Sequence, residues 1–277
     1  MDDSALAAGN QGLVMRTKLL WRSFAVGLSA SSALVAHDAA ANTVAYAEAF
    51  FTGGDFVRLD FINPPVYIGV FGFLFAAGAF ADNDFSKEYM IWYGNGDLYS
   101  VDVLNAYTTL IGSPSTPGNG PLAIHWDPVS GQMFLIATDA SCATSTLYRL
   151  DVSDASTIPV GSTSGCIISL AIDAQGRAFG IDQTTEVLVS IDTTTGAATP
   201  IGPLGFRAQR LIGGFDFHPE SGLLYLFAPD PDAGIRGIYT VNRTFGNATL
   251  VGTYERDFLG LAFAQLSDSI LANGFDP

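Results

Sequence analysis

The feature that most constrains this chain is an internal repeat. Two apolar or aromatic residues, a variable one, an aliphatic one and then Asp or Asn recur as FVRLD (56–60), LYSVD (98–102), LYRLD (147–151), VLVSID (187–192) and IYTVN (238–242). Each copy is followed by an aliphatic residue and glycine: Ile68-Gly69, Ile111-Gly112, Val160-Gly161, Ile201-Gly202 and Val251-Gly252. The interval from the acidic or amide residue to that glycine is ten positions in four copies and nine in the first. A fixed interval of this kind means one supersecondary unit used repeatedly.

Within one copy the chemistry is that of a β-hairpin. In VLVSID-TTTG-AATPIG (187–202) alternating apolar positions make a half-buried strand. Asp192 opens a turn by accepting hydrogen bonds from turn amides, and Gly196 supplies a positive φ if the turn requires one. A second strand then returns. A further pattern precedes the hairpins, as in AFADNDFSKEYMIWYG (79–94), AIHWDPVSGQMFLIAT (123–138), AIDAQGRAFGID (171–182) and GFDFHPESGLLYLFAP (214–229). Each is an apolar strand, a turn and a second apolar strand. The unit is therefore four antiparallel strands in about 40–50 residues, the size of a propeller blade.

The two ends complement each other. LGLAFA (259–264) reads as a first strand without followers, and VAYAEAF (44–50), FVRLD and PVYIG (65–69) read as three strands without a leader. The expectation is an all-β, five-bladed β-propeller of four-stranded antiparallel blades, closed by pairing a C-terminal inner strand with three N-terminal strands. The apolar run 68–81 is expected to form two buried strands. The L-Y-x-[IVL]-D…[IV]-G signature resembles the repeats of secreted bacterial propellers, the broad NHL-like and YVTN-like group, over residues 44–264. That resemblance implies the fold and leaves the function open, because propellers host lyases, hydrolases, dehydrogenases and pure binding modules.

Residues 1–41 read as a signal peptide. Met15-Arg16-Thr17-Lys18 is a basic start, 19–36 is mostly apolar and small, and HDAAAN (37–42) suits cleavage near Ala41. A membrane anchor is the alternative, but Arg22 interrupts the apolar run and the stretch beyond it is short. The propeller is expected over 42–265, with no membrane span in the mature chain. The tail 266–277 resembles the "NGF-acidic" endings of some secreted proteobacterial proteins, through Asn273, Gly274, Phe275 and Asp276, and reads either as a sorting tag or as an ordinary terminus. These features place the chain outside the cell, on its surface or in a periplasm.

The formal net charge of −15 disfavours nucleic acid, which is bound by neutralising phosphates with Lys and Arg. Cys142 and Cys166 fall on loops of one propeller face, around one blade, and an oxidising compartment favours a disulfide between them. Asp139, Asp182 and Asp230, with Asp232 close by, end strands on the same face. They could gather around a hard cation such as calcium, or be turn aspartates bonded to their own backbone. Arg207, Arg210 and Arg256 lie in blade-linking loops and could bind a carboxylate or sugar acid, or be solvated surface charge. His125 and Asp216 occupy equivalent positions of inner strands, and His218 falls in a turn. No acid or nucleophile partner is legible for either histidine, and no G-x-S-x-G, H-E-x-x-H or P-loop pattern occurs. The reading is a secreted, non-enzymatic module that binds an extracellular protein or glycan or self-associates by strand exchange at the closing blade. The alternative is a propeller enzyme acting on glycans.

Overall fold

The structure is a computed structural model. It describes residues 43–49, 54–59, 64–116, 120–207, 214–254 and 258–265. The chain divides into two units, Met1–Ala39 and Ala40–Pro277, and every described residue lies in the second. The expected signal peptide, the tail, Arg210 and Arg256 fall outside the described residues.

All regular structure among the described residues is β. Strands β1 (Thr43–Ala49), β2 (Asp55–Leu59) and β3 (Val66–Val70) pair antiparallel in that order, and β20 (Phe258–Gln265) adds to the free side of β1. The N-terminal strands are thus completed by the C-terminal one, as the unmatched ends of the repeat require. Four further antiparallel units follow the chain. They are β4 (Phe75–Ala81), β5 (Asp84–Trp92), β6 (Leu98–Asp102) and β7 (Thr108–Gly112), then β8 (Gly120–Asp127), β9 (Gln132–Thr138), β10 (Thr144–Leu150) and β11 (Thr157–Ser164). Next come β12 (Ala171–Ile172), β13 (Ala178–Asp182), β14 (Val187–Ile191) and β15 (Ala198–Pro203), and finally β16 (Gly214–Phe217), β17 (Leu224–Asp230), β18 (Ile235–Val241) and β19 (Ala248–Thr253). One parallel pair, Gly214 with Leu261, links β16 to β20 and merges two of these units into an eight-stranded sheet.

In each unit the last strand is the least buried. β1 and β13 are buried along their whole length, whereas β3, β7, β15 and β19 are half-exposed edges. The run 68–81 therefore does not form two buried strands. Its first part ends β3 at an outer edge, and only β4 enters the core. The apolar side chains collect in five clusters, each shared by two units: β4–β7 with β8–β11, β8–β11 with β12–β15, β12–β15 with β16–β19, β16–β19 with the β20–β1–β2–β3 unit, and that unit with β4–β7.

The repeat signature has a structural explanation in two parts. In every unit the pairing of the last two strands slips by one residue, and the extra residue is the aliphatic member of the signature: Ile68, Ile111, Val160, Ile201 or Val251. A β-bulge turns the bulged strand and re-aims a side chain. Ile68, Ile111, Val160 and Ile201 accordingly pack against the clusters between sheets. The glycine beside the bulge then receives the turn of the following unit. A Cβ on Gly69 would collide with Cβ of Ala106, one on Gly112 with the Asp154 carbonyl, one on Gly161 with the Thr195 carbonyl, and one on Gly202 with the Phe245 carbonyl.

Those turns share one geometry. Asp102, Asp151, Asp192 and Asn242 each accept the amide two residues on at 2.8–2.9 Å. Their carbonyls accept the amide four residues on, from Ala106, Ala155, Gly196 and Gly246. Those four donors all have positive φ, between 59° and 83°. Glycine meets this at no steric cost in two copies, and alanine is accommodated in the other two.

Candidate functional site

Two places in the fold gather polar chemistry. The first is the loop face where the sequence analysis placed its candidates. Cys142, in the β9–β10 loop with φ 56°, is bonded to Cys166, in the segment leading to β12, with the Cα atoms 4.9 Å apart. The bond staples the β8–β11 unit to the next one.

Beside the next junction is an open cleft of about 360 Å³ lined by Thr185, Glu186, Pro203, Phe206, Arg207 and Asp232. Its volume falls in the range of small-molecule sites, roughly 300–1,000 Å³. The β13–β14 loop, the segment after β15 and the β17–β18 loop each contribute to it. Arg207 and Asp232, singled out separately from the sequence, face each other across it with Nη2 to Oδ1 at 3.1 Å. Their side chains are 56% and 68% exposed, so the pair is held weakly and is free to exchange partners. Phe206 stacks on Tyr239, centroids 4.5 Å apart and planes 13° apart, which gives the cleft a rigid aromatic wall. Burial, with the Asp230 charge, pushes the Tyr239 phenol up.

Three of the four candidate aspartates behave as loop anchors, and the fourth, Asp232, pairs with Arg207. Asp139 accepts from the amides and hydroxyls of Ser141 and Thr144 and from the Ala143 amide. The Ser141 and Thr144 hydroxyls and those amides hold its carboxyl well below the usual carboxylate range. Asp182 accepts from Cys166, Thr184 and Thr185, and Asp230 from Asp232 and Ala233. Among the described residues no three His, Cys, Asp or Glu side chains gather as a metal site.

The second place is the centre, where first strands of the units meet. A small cavity of about 30 Å³, room for a water or two, is lined by Gly78, Ala123, Ser169, Gly214 and Leu261 among others. Beside it, His125 of β8 reaches Asp216 of β16, Nε2 to Oδ1 2.8 Å, with β12 between their strands. The aligned residue of β12 is Ala171, which leaves the space open. The acid partner that sequence reasoning could not find for His125 is therefore Asp216, from two units away. His125 Nδ1 lies 2.9 Å from the Trp126 carbonyl. Both ring nitrogens face acceptors, an arrangement that favours the doubly protonated ring. Burial works against that charge. The Asp216 carboxylate and the Trp126 carbonyl outweigh it, and the His125 pKa is raised. Asp216 also accepts the Phe217 amide at 2.6 Å and the Phe263 amide at 2.8 Å, so one carboxylate ties β8, β16 and β20 together.

Two buried glutamates complete the centre. Glu48 of β1 accepts the Phe75 amide of β4 at 2.6 Å and leaves Oε1 without a partner. Burial raises its carboxyl from an ordinary 4.5 to about 8, against the pull of that amide. Glu88 of β5 is fully buried with neither oxygen hydrogen-bonded. The sequence carried a signal for the His125–Asp216 pair, since both are polar at a position that is Ala171, Phe80 or Phe263 in the other copies. It carried none for Glu88, which reads as an exposed member of a mixed strand.

No family model matches the chain, and no curated protein matches it. Among solved structures it is similar to one described as the crystal structure of a nidogen/laminin complex, at 10% identity and TM-score 0.49, over 80% of this chain and 98% of that one. It is also similar to a structural genomics protein of unknown function from Bacteroides thetaiotaomicron, at 11% identity and TM-score 0.44, over 76% of this chain and 64% of that one. No helix among the described residues is long and apolar enough to cross a membrane.

Proposed function

We propose that the chain is an exported five-bladed β-propeller serving as an extracellular binding module, with the cleft at Arg207 and Asp232 as its binding site. The blade reading is supported by the closed order of the shared core clusters, in which each unit packs on the next and the last on the first. The observation that carries the binding reading is the cleft itself. An exposed guanidinium, an exposed carboxylate and a fixed aromatic wall stand around a volume suited to a small ligand group. Arginine pairs with carboxylates in a planar, two-pronged geometry, and an aromatic ring offers a sugar or peptide an apolar face. A ligand bearing a carboxylate, such as a glycan containing a sugar acid, would displace Asp232 from Arg207.

The test is a binding screen of the full chain against acidic and neutral glycans, repeated with Arg207→Ala. Acidic glycans should be preferred, and the variant should bind them at least about tenfold more weakly, the scale of one charge-assisted pair. Equal binding by the variant would remove the cleft as the site. Light scattering on the same sample reads the oligomeric state. A monomer agrees with β1 and β20 pairing within one chain, and discrete oligomers would favour strand exchange.

A further inference from the structure

Glu88 lies opposite Val101 of β6, and its side chain turns inward across β4 at Gly78. A Cβ at position 78 would overlap both Oε1 of Glu88 and the carbonyl oxygen of Gly260. Two oxygens, one from β5 and one from β20, therefore converge on a volume that only a glycine leaves open. Gly260 has φ 61° and sits where the β1–β20 register slips between the pairs Tyr46–Ala262 and Glu48–Leu259. The bulge brings this carbonyl to the glutamate.

Two acceptor oxygens turned toward one small volume, the glutamate's having no other partner, are reconciled by a proton between them. We infer that Glu88 is held as a neutral carboxylic acid whose hydroxyl donates to the Gly260 carbonyl, forming a proton-dependent latch between the β4–β7 sheet and the closing strand β20. The surroundings favour the proton. Tyr46 from β1 and Asp216 from β16 face Glu88, Asp216 being paired with His125 of β8. β4 and β20 contribute no titratable side chain. On β6, Asp102 stands opposite Lys87, the outward neighbour of Glu88, and Tyr99 packs among Phe73, Phe75 and Trp92. Burial pushes the Glu88 carboxyl well above the carboxylate range, and the Asp216 charge pushes the same way. Glu48 crosses the same junction in the opposite sense, from β1 to the Phe75 amide of β4. Two glutamates thus clasp the seam between the β20–β1–β2–β3 unit and β4–β7.

Infrared spectroscopy of the full chain reads the latch directly. Wild type at pH 7 should show the C=O band of a buried protonated carboxylic acid, and one such band should persist in Glu48→Gln and be lost on adding Glu88→Gln. Its absence from Glu48→Gln overturns the proposal without requiring any Glu88 variant to fold. Thermal melts provide the second reading. Glu88→Gln keeps the shape and a donor, so it should melt with wild type at pH 6 and several degrees above it at pH 10. Parallel decline of the two proteins up to pH 10 overturns the latch. A bound cation in place of the proton would appear as an ionised carboxylate at pH 7, which also overturns it.

Discussion

The outer seams and the centre join the same sheets by opposite means. At the periphery each described seam is a glycine of one unit lying against the turn of the next, built four times from the same two short motifs. At the centre the links occur once each: the ring of His125 on Asp216, and the buried carboxyls of Glu48 and Glu88. The difference teaches where uniqueness resides in a repeat protein. Backbone fitted against glycine is indifferent to which unit it joins, so it can be copied. A buried charge has to find its one complementary partner, so it selects an arrangement.

The largest break in this comparison is expected from Asp216→Ala. It leaves the part-buried His125 ring without its carboxylate and strands two amides, for a loss of about 3–5 kcal/mol in urea unfolding. A loss under about 1 kcal/mol would mean that the centre is no more demanding than the surface.

Next comes the one seam with a covalent link. Replacing Cys142 and Cys166 together with serine should cost ~3 kcal/mol through the freed unfolded chain, and reducing agent should reproduce the effect in wild type.

The repeated seams rank third. Gly161→Ala and Gly202→Ala drive a methyl into a main-chain carbonyl that cannot step aside, and each should lose about 1–3 kcal/mol. Gly69→Ala meets a side chain instead, so Ala106→Gly should restore part of its loss. Strict additivity of that pair would show that the two residues do not form the seam.

The last test is a pH profile. A carboxyl whose pKa is raised from 4.5 to about 8 on folding binds its proton more tightly in the folded state. Its contribution is complete below about 4.5, declines as pH rises, and is gone above about 8. Glu48→Gln should flatten that decline in thermal melts between pH 5 and pH 8, within the window that those two values define. The raised His125 pKa adds loss in the same direction as pH rises through it.

Much of the fold was legible because strand period, turn aspartates and bulge glycines are local. The hairpins, the turn at Asp192–Gly196 and the completion of the first three strands by the last all derive from spacing along the chain. The edge position of β3 was not legible, since an apolar run states affinity for a core and not which sheet surface remains uncovered. On the loop face the sequence nominated Arg207, Asp232 and the two cysteines from their places in the repeat. It could not bring Arg207 to Asp232, because nothing in the spacing says which loops of neighbouring units touch.

The sequence by itself determined the repeating unit, its four strands and the glycines at its seams, because each depends on residues within about fifty positions of one another in the repeat period. Only the tertiary structure decided that His125 meets Asp216, that Glu88 meets Gly260 and that Glu48 meets Phe75. Those contacts join residues far apart in the chain. Their strength depends on the exclusion of water, which comes about only once the sheets have packed.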